Sequence, residues 1–586
     1  MRSKYLFLLL LITSIYVGVS AKNHSSGPSL RRSDFPEDFI FGSATSAYQY
    51  EGATDEGGKS PAIWDHFSRT YPERTKMHNA DVAIDFYHRY KDDIKLMKEL
   101  NMDAFRYSIS WARLIPSGKL KDGVNKEGVQ FDKDLIDELL ANDIQPSMTL
   151  YHWDHPQSLE DEYGDFLSPK IVEDFRDFAR ICFEEFGDKV KMWTTINEPY
   201  IMTIAGYDQG NKAAGRCSKW VNEKCHAGDS STEPYIVSHN VLLAHAAAVD
   251  EFRKSKIISH DSQIGIVLSP RWFEPYHSTL LKIKKQLNEL LLMKLDGKHL
   301  DPVIHGDYPE IVKKYGGNKL PSFTEEQSNM LKNSSDFVGV NYYTARFATH
   351  IPEIDPAKPR FKTDHHVEWK LTNHSGHIIG HWDERGLILS HPEGLRKILN
   401  YIKDRYNNIP VYIKENGIND NDDGTKPREE ILKDTFRIEY HDTHSQQLHK
   451  AIVEDGCDVR GYYAWSMMDN FEWEHGYTAR FGLYYVDFVN GLKRYPKDSV
   501  KWFKRFLKRS IGETKEEEVK EMSRADMNET LHEQVEFGEY SGFVASFMAT
   551  NQSKREQEKN RCSSDLFYSS FGVLKEIEDS SSFYRL

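Results

Sequence analysis

Lys191-Met192-Trp193-Thr194-Thr195-Ile196-Asn197-Glu198-Pro199 is the stretch on which the reading of this chain turns. Its apolar, β-branched body reads as a buried strand. The run then ends in an amide, a carboxylate and a proline. A strand that only has to stop does so at Gly, Asn or Asp, and seldom delivers a Glu at its last position. Pro199 cannot donate to a ladder, and it biases the residue before it toward extended geometry. The expectation is a Glu198 side chain pinned at the C-terminal end of a strand, with Asn197 beside it.

Working outward, the same grammar repeats. Before this stretch come strands at Phe39 to Gln49, Ala104 to Trp111 and Pro146 to Asp154. Helices over Asp81 to Leu100, Lys133 to Asn142 and Lys170 to Phe186 alternate with them. In the first helix Ala83, Phe86, Tyr87, Tyr90, Ile94, Met97 and Leu100 recur at three and four. After it come strands at Gln263 to Ser269, Asp336 to Tyr343, Val411 to Gly417 and Val459 to Trp465. Helices over Tyr235 to Lys254, between Lys282 and Tyr315, over Glu393 to Tyr406 and over Phe436 to Asp455 precede them, and Ser499 to Arg509 closes the series. Eight strands alternating with helices imply a parallel sheet closed on itself: an α/β fold, a single (β/α)8 TIM barrel. An open doubly wound sheet would carry a Gly-rich phosphate loop after its first strand, and none stands there.

The expected domain is residues 35–511, longer than the ~250 residues of a minimal barrel. The excess falls in loops that follow strands, at Gly206 to Glu233, Ala345 to Gly386 and Asp420 to Glu430, so the catalytic face should carry a deep pocket. Residues 512–586 open on the charge run Lys515-Glu516-Glu517-Glu518-Val519-Lys520-Glu521 and read as a mostly disordered tail. Residues 1–21 read as a signal peptide: Arg2 and Lys4, then the apolar run Leu6 to Ile12, then Val19-Ser20-Ala21. A polar leader, 22–34, follows. No later stretch approaches ~20 apolar residues, so no membrane span and a soluble mature protein are expected.

Lys and Arg number 76 against 90 Asp and Glu, a net charge of −14. That balance argues against nucleic acid and anionic membranes as partners. Of the five cysteines, Cys217 and Cys225 lie close together in a polar loop and are expected to form a disulfide; Cys182 reads as buried in a helix, and Cys457 and Cys562 as free. Candidate glycosylation sites are Asn23, Asn333, Asn373, Asn528 and Asn551.

The strand ends carry the chemistry. They offer Gln49, Arg106, His152, Asn197 with Glu198, Asn341 with Tyr343, Glu415 with Asn416, and Trp465. In a barrel these ends converge on one mouth. A lone strand-end Glu is most often a salt-bridge partner for a loop. Two of them, Glu198 and Glu415, with an Arg, a Tyr, a His and amides around them, are the equipment of glycoside hydrolysis. His152, Trp465 and Trp473 taken singly read as core or cap residues.

Here the chain resembles glycoside hydrolase family 1, and within it the plant β-glucosidases, particularly those of crucifer endoplasmic-reticulum bodies. Ile196-Asn197-Glu198-Pro199 and Ile413-Lys414-Glu415-Asn416-Gly417 resemble the family's acid/base and nucleophile motifs. Further matches are Ala44-Thr45-Ser46-Ala47-Tyr48-Gln49, Arg106-Tyr107-Ser108-Ile109-Ser110-Trp111, His152-Trp153-Asp154, Asn341-Tyr342-Tyr343, Pro392-Glu393-Gly394-Leu395, Ala464-Trp465-Ser466, Asp469-Asn470-Phe471-Glu472-Trp473 and Arg480-Phe481-Gly482-Leu483. The resemblance implies a retaining β-glucosidase acting on glucosides of small plant metabolites with aryl or coumarin aglycones. Glu415 would attack the anomeric carbon. Glu198 would protonate the leaving oxygen and then deprotonate water. Arg106 and Tyr343 would hold Glu415 ionised, and apolar walls with the negative Glu415 would keep Glu198 protonated. Gln49, His152, Asn197, Asn341, Tyr343, Glu472 and Trp473 would bind the sugar, and Trp465 would stack under its ring.

Three departures matter. Lys414 stands where many members carry Thr; a side chain pointing out of the barrel there would have slight effect. Leu387 takes a position where many relatives have an aglycone-stacking Trp. The family's thioglucosidases usually replace the acid/base Glu by Gln, with an Arg seven residues on; Glu198 and Ala205 favour O-glucosides here. Thioglucosidase and transglucosidase activities use the same carboxylate pair and stay as alternatives, and a sugar-binding relic would be expected to have lost one carboxylate. No cofactor and no metal are expected, the His residues including no His-Glu-x-x-His. The partners expected are a small-molecule glucoside and, as an open alternative, a second copy of the chain. The signal peptide and resemblance imply the secretory pathway, with the endoplasmic reticulum lumen first and vacuole or extracellular space otherwise, because Ser582-Phe583-Tyr584-Arg585-Leu586 is not a Lys-Asp-Glu-Leu-type ending.

Overall fold

Period two and period three-to-four do the folding work. In the strand Met192–Asn197, Trp193 and Thr195 face the helices: the Trp193 ring meets Phe183 edge-on at 4.9 Å, and Thr195 Oγ1 lies 2.7 Å from His245 Nδ1. Met192, just before the first of these outward positions, turns its sulfur into the barrel. In the helix Lys170–Phe186, Ile171, Phe175, Phe178, Cys182 and Phe186 recur at four and three and are buried. Burying such a side chain contributes about 1.5–3 kcal/mol.

The computed structural model describes residues 28–277, 297–382, 388–422 and 424–509. The signal peptide, the first part of the leader, the tail, part of the Lys282 to Tyr315 region, Leu387, Cys562, Asn23, Asn528 and Asn551 lie outside the described residues. Eight parallel strands form a closed barrel: β1 (Ile40–Ala44), β2 (Ala104–Ser108), β3 (Gln145–Tyr151), β4 (Met192–Asn197), β5 (Gln263–Leu268), β6 (Phe337–Asn341), β7 (Val411–Asn416) and β8 (Val459–Ala464). Each pairs with its neighbours in sequence, and β8 pairs with β1. The helices α1 (Phe86–Glu99), α2 (Lys126–Ala141), α3 (Lys170–Phe186), α4 (Glu233–Lys254), α5 (Gly297–His305), α6 (Pro392–Arg405), α7 (Thr435–Val453) and α8 (Asp498–Phe506) alternate with them. The barrel expectation holds, and the compact unit that contains it runs Leu30–Leu507.

Several boundaries move, for local reasons. α1 starts at Phe86 rather than Asp81, because Ala83 and Asp85 take left-handed φ of 47° and 61°. α2 starts at Lys126, where the Asn125 side chain accepts the Glu127 N–H at 3.2 Å and caps it. β1 stops at Ala44, so Gln49 stands on the helical turn Ala47–Tyr50 and not at a strand end. The long loops build structure of their own: Trp272–Pro275, Ala345–His350 and Val367–Lys370 pair as a small sheet. Cys217 and Cys225 are disulfide-bonded, and Cys182 and Cys457 are free and buried. Asn333 is exposed and Asn373 half-buried. Among the described residues no helix is long and apolar enough to cross a membrane.

Candidate active site

Two irregularities in the barrel aim the carboxylates. Between Thr194 and Asn197 β4 runs one residue longer than β5 opposite it, since Thr194 pairs with Gly265 and Asn197 with Val267. Between Ile413 and Glu415 β7 shifts in the same way against β6. Bulges of this kind re-aim a side chain beside an active site. On β7 the result is that Lys414 and Glu415, though consecutive, both reach the barrel interior.

Glu198 departs from the expected extended geometry. Its φ is 46° and its ψ 59°, in the left-handed region, at a cost of about 1–3 kcal/mol. The reason is that its two backbone groups serve different elements. Its N–H donates to Val267 O of β5 at 2.8 Å, and its C=O accepts the Met202 N–H at 3.1 Å, the first bond of the helix Pro199–Ile204. Pro199 opens that helix, where its missing N–H costs nothing.

The side chains then form one network. Arg106 Nη1 pairs with Glu415 Oε1, Arg106 Nη2 donates to Asn197 Oδ1 at 2.6 Å, and Arg106 Nε donates to Thr149 Oγ1 at 3.1 Å. Tyr343 Oη donates to Glu415 Oε2 at 2.7 Å. Asn341 Nδ2 donates to Glu198 Oε1 at 2.6 Å and reaches Asn197 Oδ1 at 3.1 Å. Asn197 Oδ1 is thus occupied by donors, so its Nδ2 is left to donate, at 3.0 Å, to His152 Nε2. Burial, then the charge of Arg106, drive the His152 pKa well below its ordinary value, which keeps the ring neutral. A neutral ring accepting at Nε2 carries its proton on Nδ1, and that buried atom has no partner.

Burial is the largest influence on Glu415 and raises its pKa; Arg106 and then the Tyr343 and Arg106 hydrogen bonds pull it back. The expectation that Arg106 and Tyr343 hold this carboxyl ionised is therefore half the balance, because desolvation opposes them. Burial also raises Glu472, well above the carboxylate range.

A cavity opens between these groups. Of the residues expected from sequence, His152, Asn197, Glu198, Tyr343, Glu415, Trp465, Glu472 and Trp473 line it. Gln49, Arg106 and Asn341 stand behind the lining and bond to it. Gln49 Nε2 donates to Asn470 Oδ1 and Phe471 O, each at 2.9 Å, and approaches Glu472 Oε2 at 3.5 Å. Trp153, Ile201, Lys212, Ser269 and Phe481 also line the cavity and are not among the expected site residues, though Trp153 and Phe481 stand in the motifs quoted above. Its place directly after His152 is the signal that points to Trp153, whose φ of 73° turns it at the strand's end. Lys212 comes from the disulfide loop, and no strand-end rule points to it. Among the described residues no cluster of His, Cys, Asp or Glu could hold a metal ion.

The family model described as Glycosyl hydrolase family 1 matches residues 31–511. The chain belongs to this family. It is 79% identical over 584 residues to Beta-glucosidase 30 of Arabidopsis thaliana and 66% identical over 584 residues to Beta-glucosidase 28 of the same plant, covering 100% and 99% of each pair of chains. Among solved structures it is similar to a rice β-glucosidase mutant in a covalent complex with Glc, with a TM-score of 0.80 at 44% identity, over 82% of this chain and 100% of that one. The family, the relatives and the barrel together make this chain a β-glucosidase-type glycoside hydrolase.

Lys414 requires a correction to the reading that it could point outward with slight effect. It is fully buried in the barrel beneath the site. Its Nζ donates to Ser147 Oγ at 2.9 Å and lies 2.7 Å from Met192 Sδ. The rings of Tyr463, Tyr412 and Phe337 stand 4.6, 5.0 and 5.2 Å from it. None of these partners is an anion, and burial, with Arg106 nearby, lowers its pKa well below the usual lysine value.

Proposed function

We propose that the protein is a retaining β-glucosidase that hydrolyses O-linked β-D-glucosides of small aryl or coumarin aglycones by double displacement. The observation that carries the reading is two buried carboxyls, Glu198 and Glu415, lining one cavity in unlike settings.

Glu415 is the nucleophile. Arg106 and Tyr343 fix both its oxygens and favour its charged form against the pull of burial. Glu198 is the acid and then the base. Its one oxygen is oriented by the Asn341 amide, a neutral donor. In the first step the Glu415 oxygen bonds to the anomeric carbon as the glycosidic bond breaks, and the Glu198 proton passes to the departing oxygen. Esterified Glu415 is neutral, so its charge no longer favours the protonated form of Glu198. Glu198 then takes a proton from water as that water attacks and releases glucose. The covalent Glc complex of the rice relative supports such an intermediate. Asn197 and the His152 Nδ1–H offer donors to sugar hydroxyls, Glu472 accepts from them, and Trp465 supplies a ring face. Glu198 in place of Gln, and the β-glucosidase names of the relatives, weigh against the thioglucosidase alternative.

Incubation with 2,4-dinitrophenyl 2-deoxy-2-fluoro-β-D-glucoside tests this, because the fluorine slows the second step and strands the intermediate. Peptide mass spectrometry should find the fluoroglucosyl group on Glu415. A label on another residue, or none with activity unaffected, would sink the assignment.

A further inference from the structure

The wall of the cavity carries a charge that the double displacement leaves unused. Lys212 lines the cavity and is nearly fully buried. Among the described residues that line it, Lys212 alone has a cationic side chain, His152 being neutral. Its Nζ pairs with Glu474 Oε2 and stands 5.8 Å from the Trp153 ring. Glu474 lies two residues after Glu472, and both carboxyls are buried. Glu472 is shared with the sugar site: its N–H donates to Gly476 O at 2.6 Å, and its Oε2 faces Gln49.

The loop that delivers Lys212 is held from several sides. The Lys212 N–H donates to Ala205 O at 3.3 Å, and its C=O accepts the Gly215 N–H at 2.7 Å. Two residues earlier, Gly210 O accepts from Arg74 Nη1 at 2.8 Å, and a Cβ on Gly210 would stand 2.2 Å from Cys225 Sγ. The disulfide is packed so closely on this turn that only glycine fits. Such anchoring sets the ammonium beside the two carboxyls rather than leaving it to search.

We propose that Lys212 is a positioning residue for the sugar site: by pairing with Glu474 its ammonium holds the turn that presents Glu472 to substrate hydroxyls. The inference rests on the reading of Glu472 as a hydroxyl-binding group. The groups that face Glu472 are Lys212 from the disulfide loop, Glu474 on its own turn with His475 beside it, Glu415 from β7, Gln49 from the turn after β1, and Trp465 after β8. His475 is held neutral by its burial, so Lys212 is the cation of this set. Burial is the largest influence and favours the neutral acid; Lys212 opposes it, while Glu474 and Glu415 add to it.

The test compares Lys212→Met and Lys212→Arg with the full-length wild-type protein. Hydrolysis of 4-nitrophenyl β-D-glucoside is followed across pH, and D-glucose binding is titrated calorimetrically. The expected result for Lys212→Met is a KM and a glucose Kd raised by about tenfold or more, the loss typical of a charge-assisted hydrogen bond. The acid limb of kcat/KM should move to higher pH, because Glu472 then protonates sooner. Lys212→Arg should stay within about threefold of wild type, since it restores the cation. An unchanged limb and unchanged glucose binding in Lys212→Met overturn the proposal. So does a defect that Lys212→Arg shares in full, because that would mark a packing role. A wild type that hydrolyses and binds nothing would instead remove the β-glucosidase reading, and this inference with it.

Discussion

The ends of β4 and β7 deliver the same residue type to the same cavity and treat it differently. At the end of β7, Glu415 is gripped at both oxygens, by a guanidinium and a phenol. At the end of β4, Glu198 sits on a left-handed backbone turn and meets a neutral amide. A carboxyl that is to attack must be charged and aimed. One that is to deliver a proton must not be held by a cation. Two carboxyls with unlike neighbours can therefore divide one reaction between them. The backbone contributes as much as the neighbours, since both residues follow a bulge that turns them inward.

Replacing each in turn is the sharpest way to break this contrast. Glu415→Ala should lower kcat/KM for 4-nitrophenyl β-D-glucoside by about 10⁴-fold or more, the loss expected when a covalent route is removed. Added azide should restore turnover and yield the α-glucosyl azide, because it enters from the vacated face. Detection of the β-azide would reverse the two roles. Glu198→Gln should cost less, about 10²–10⁴-fold, and the cost should fall as the leaving group improves. With a 2,4-dinitrophenyl glucoside a burst of phenolate should precede slow turnover, seen by stopped flow, since only the second step then needs the missing base. Absence of that burst with a steady rate lowered equally for good and poor leaving groups would count against Glu198 as the acid.

Tyr343→Phe probes the grip on Glu415 alone. Losing a hydrogen bond to a charged group costs about 1.5–3 kcal/mol, so kcat/KM should fall by about 10–100-fold. That bond lowers the Glu415 pKa, so its removal raises the pKa and shifts the acid limb of the pH profile upward. A limb that stays in place would mean that Tyr343 does not act through Glu415.

The smallest effect is expected below the site. Arg106 and Lys414 occupy successive levels of one barrel wall, on Thr149 and Ser147 of β3. Arg106 has an anion above it, and Lys414 has none among the partners described. Its depressed pKa means that the unfolded chain binds the proton more tightly, so the lysine costs stability below the ordinary lysine pKa and the cost fades as pH rises toward that value. Lys414→Met should raise stability at neutral pH by about 1–3 kcal/mol, with the gain shrinking as pH approaches 10. Chemical denaturation at pH 6 and pH 10 would check it; a loss at both would mean that the Ser147 bond outweighs the buried amine.

Much of this was legible along the chain. Eight apolar runs alternating with amphipathic helices require a closed parallel sheet, because each face of each strand needs cover. The strand-end rule singles out Arg106, His152, Asn197, Glu198, Asn341, Tyr343, Glu415 and Trp465 from the order of residues alone. It placed Gln49 at a strand end, where a short helical turn carries it instead, because nothing local in Ser46-Ala47-Tyr48 marks where pairing with β2 and β8 ceases.

What the sequence by itself determined is the architecture and the pair of carboxylates, since periodicity and residue type are local properties. Only the tertiary structure decided their surroundings. The left-handed turn at Glu198 needs β5 on one side and a helix on the other. The inward turn of Lys414 needs a bulge that only neighbouring strands can register. The approach of Lys212 to Glu474 joins loops far apart in the chain and anchored by a disulfide. Charge states depend on burial and on neighbours in space, and neither is written in the order of residues.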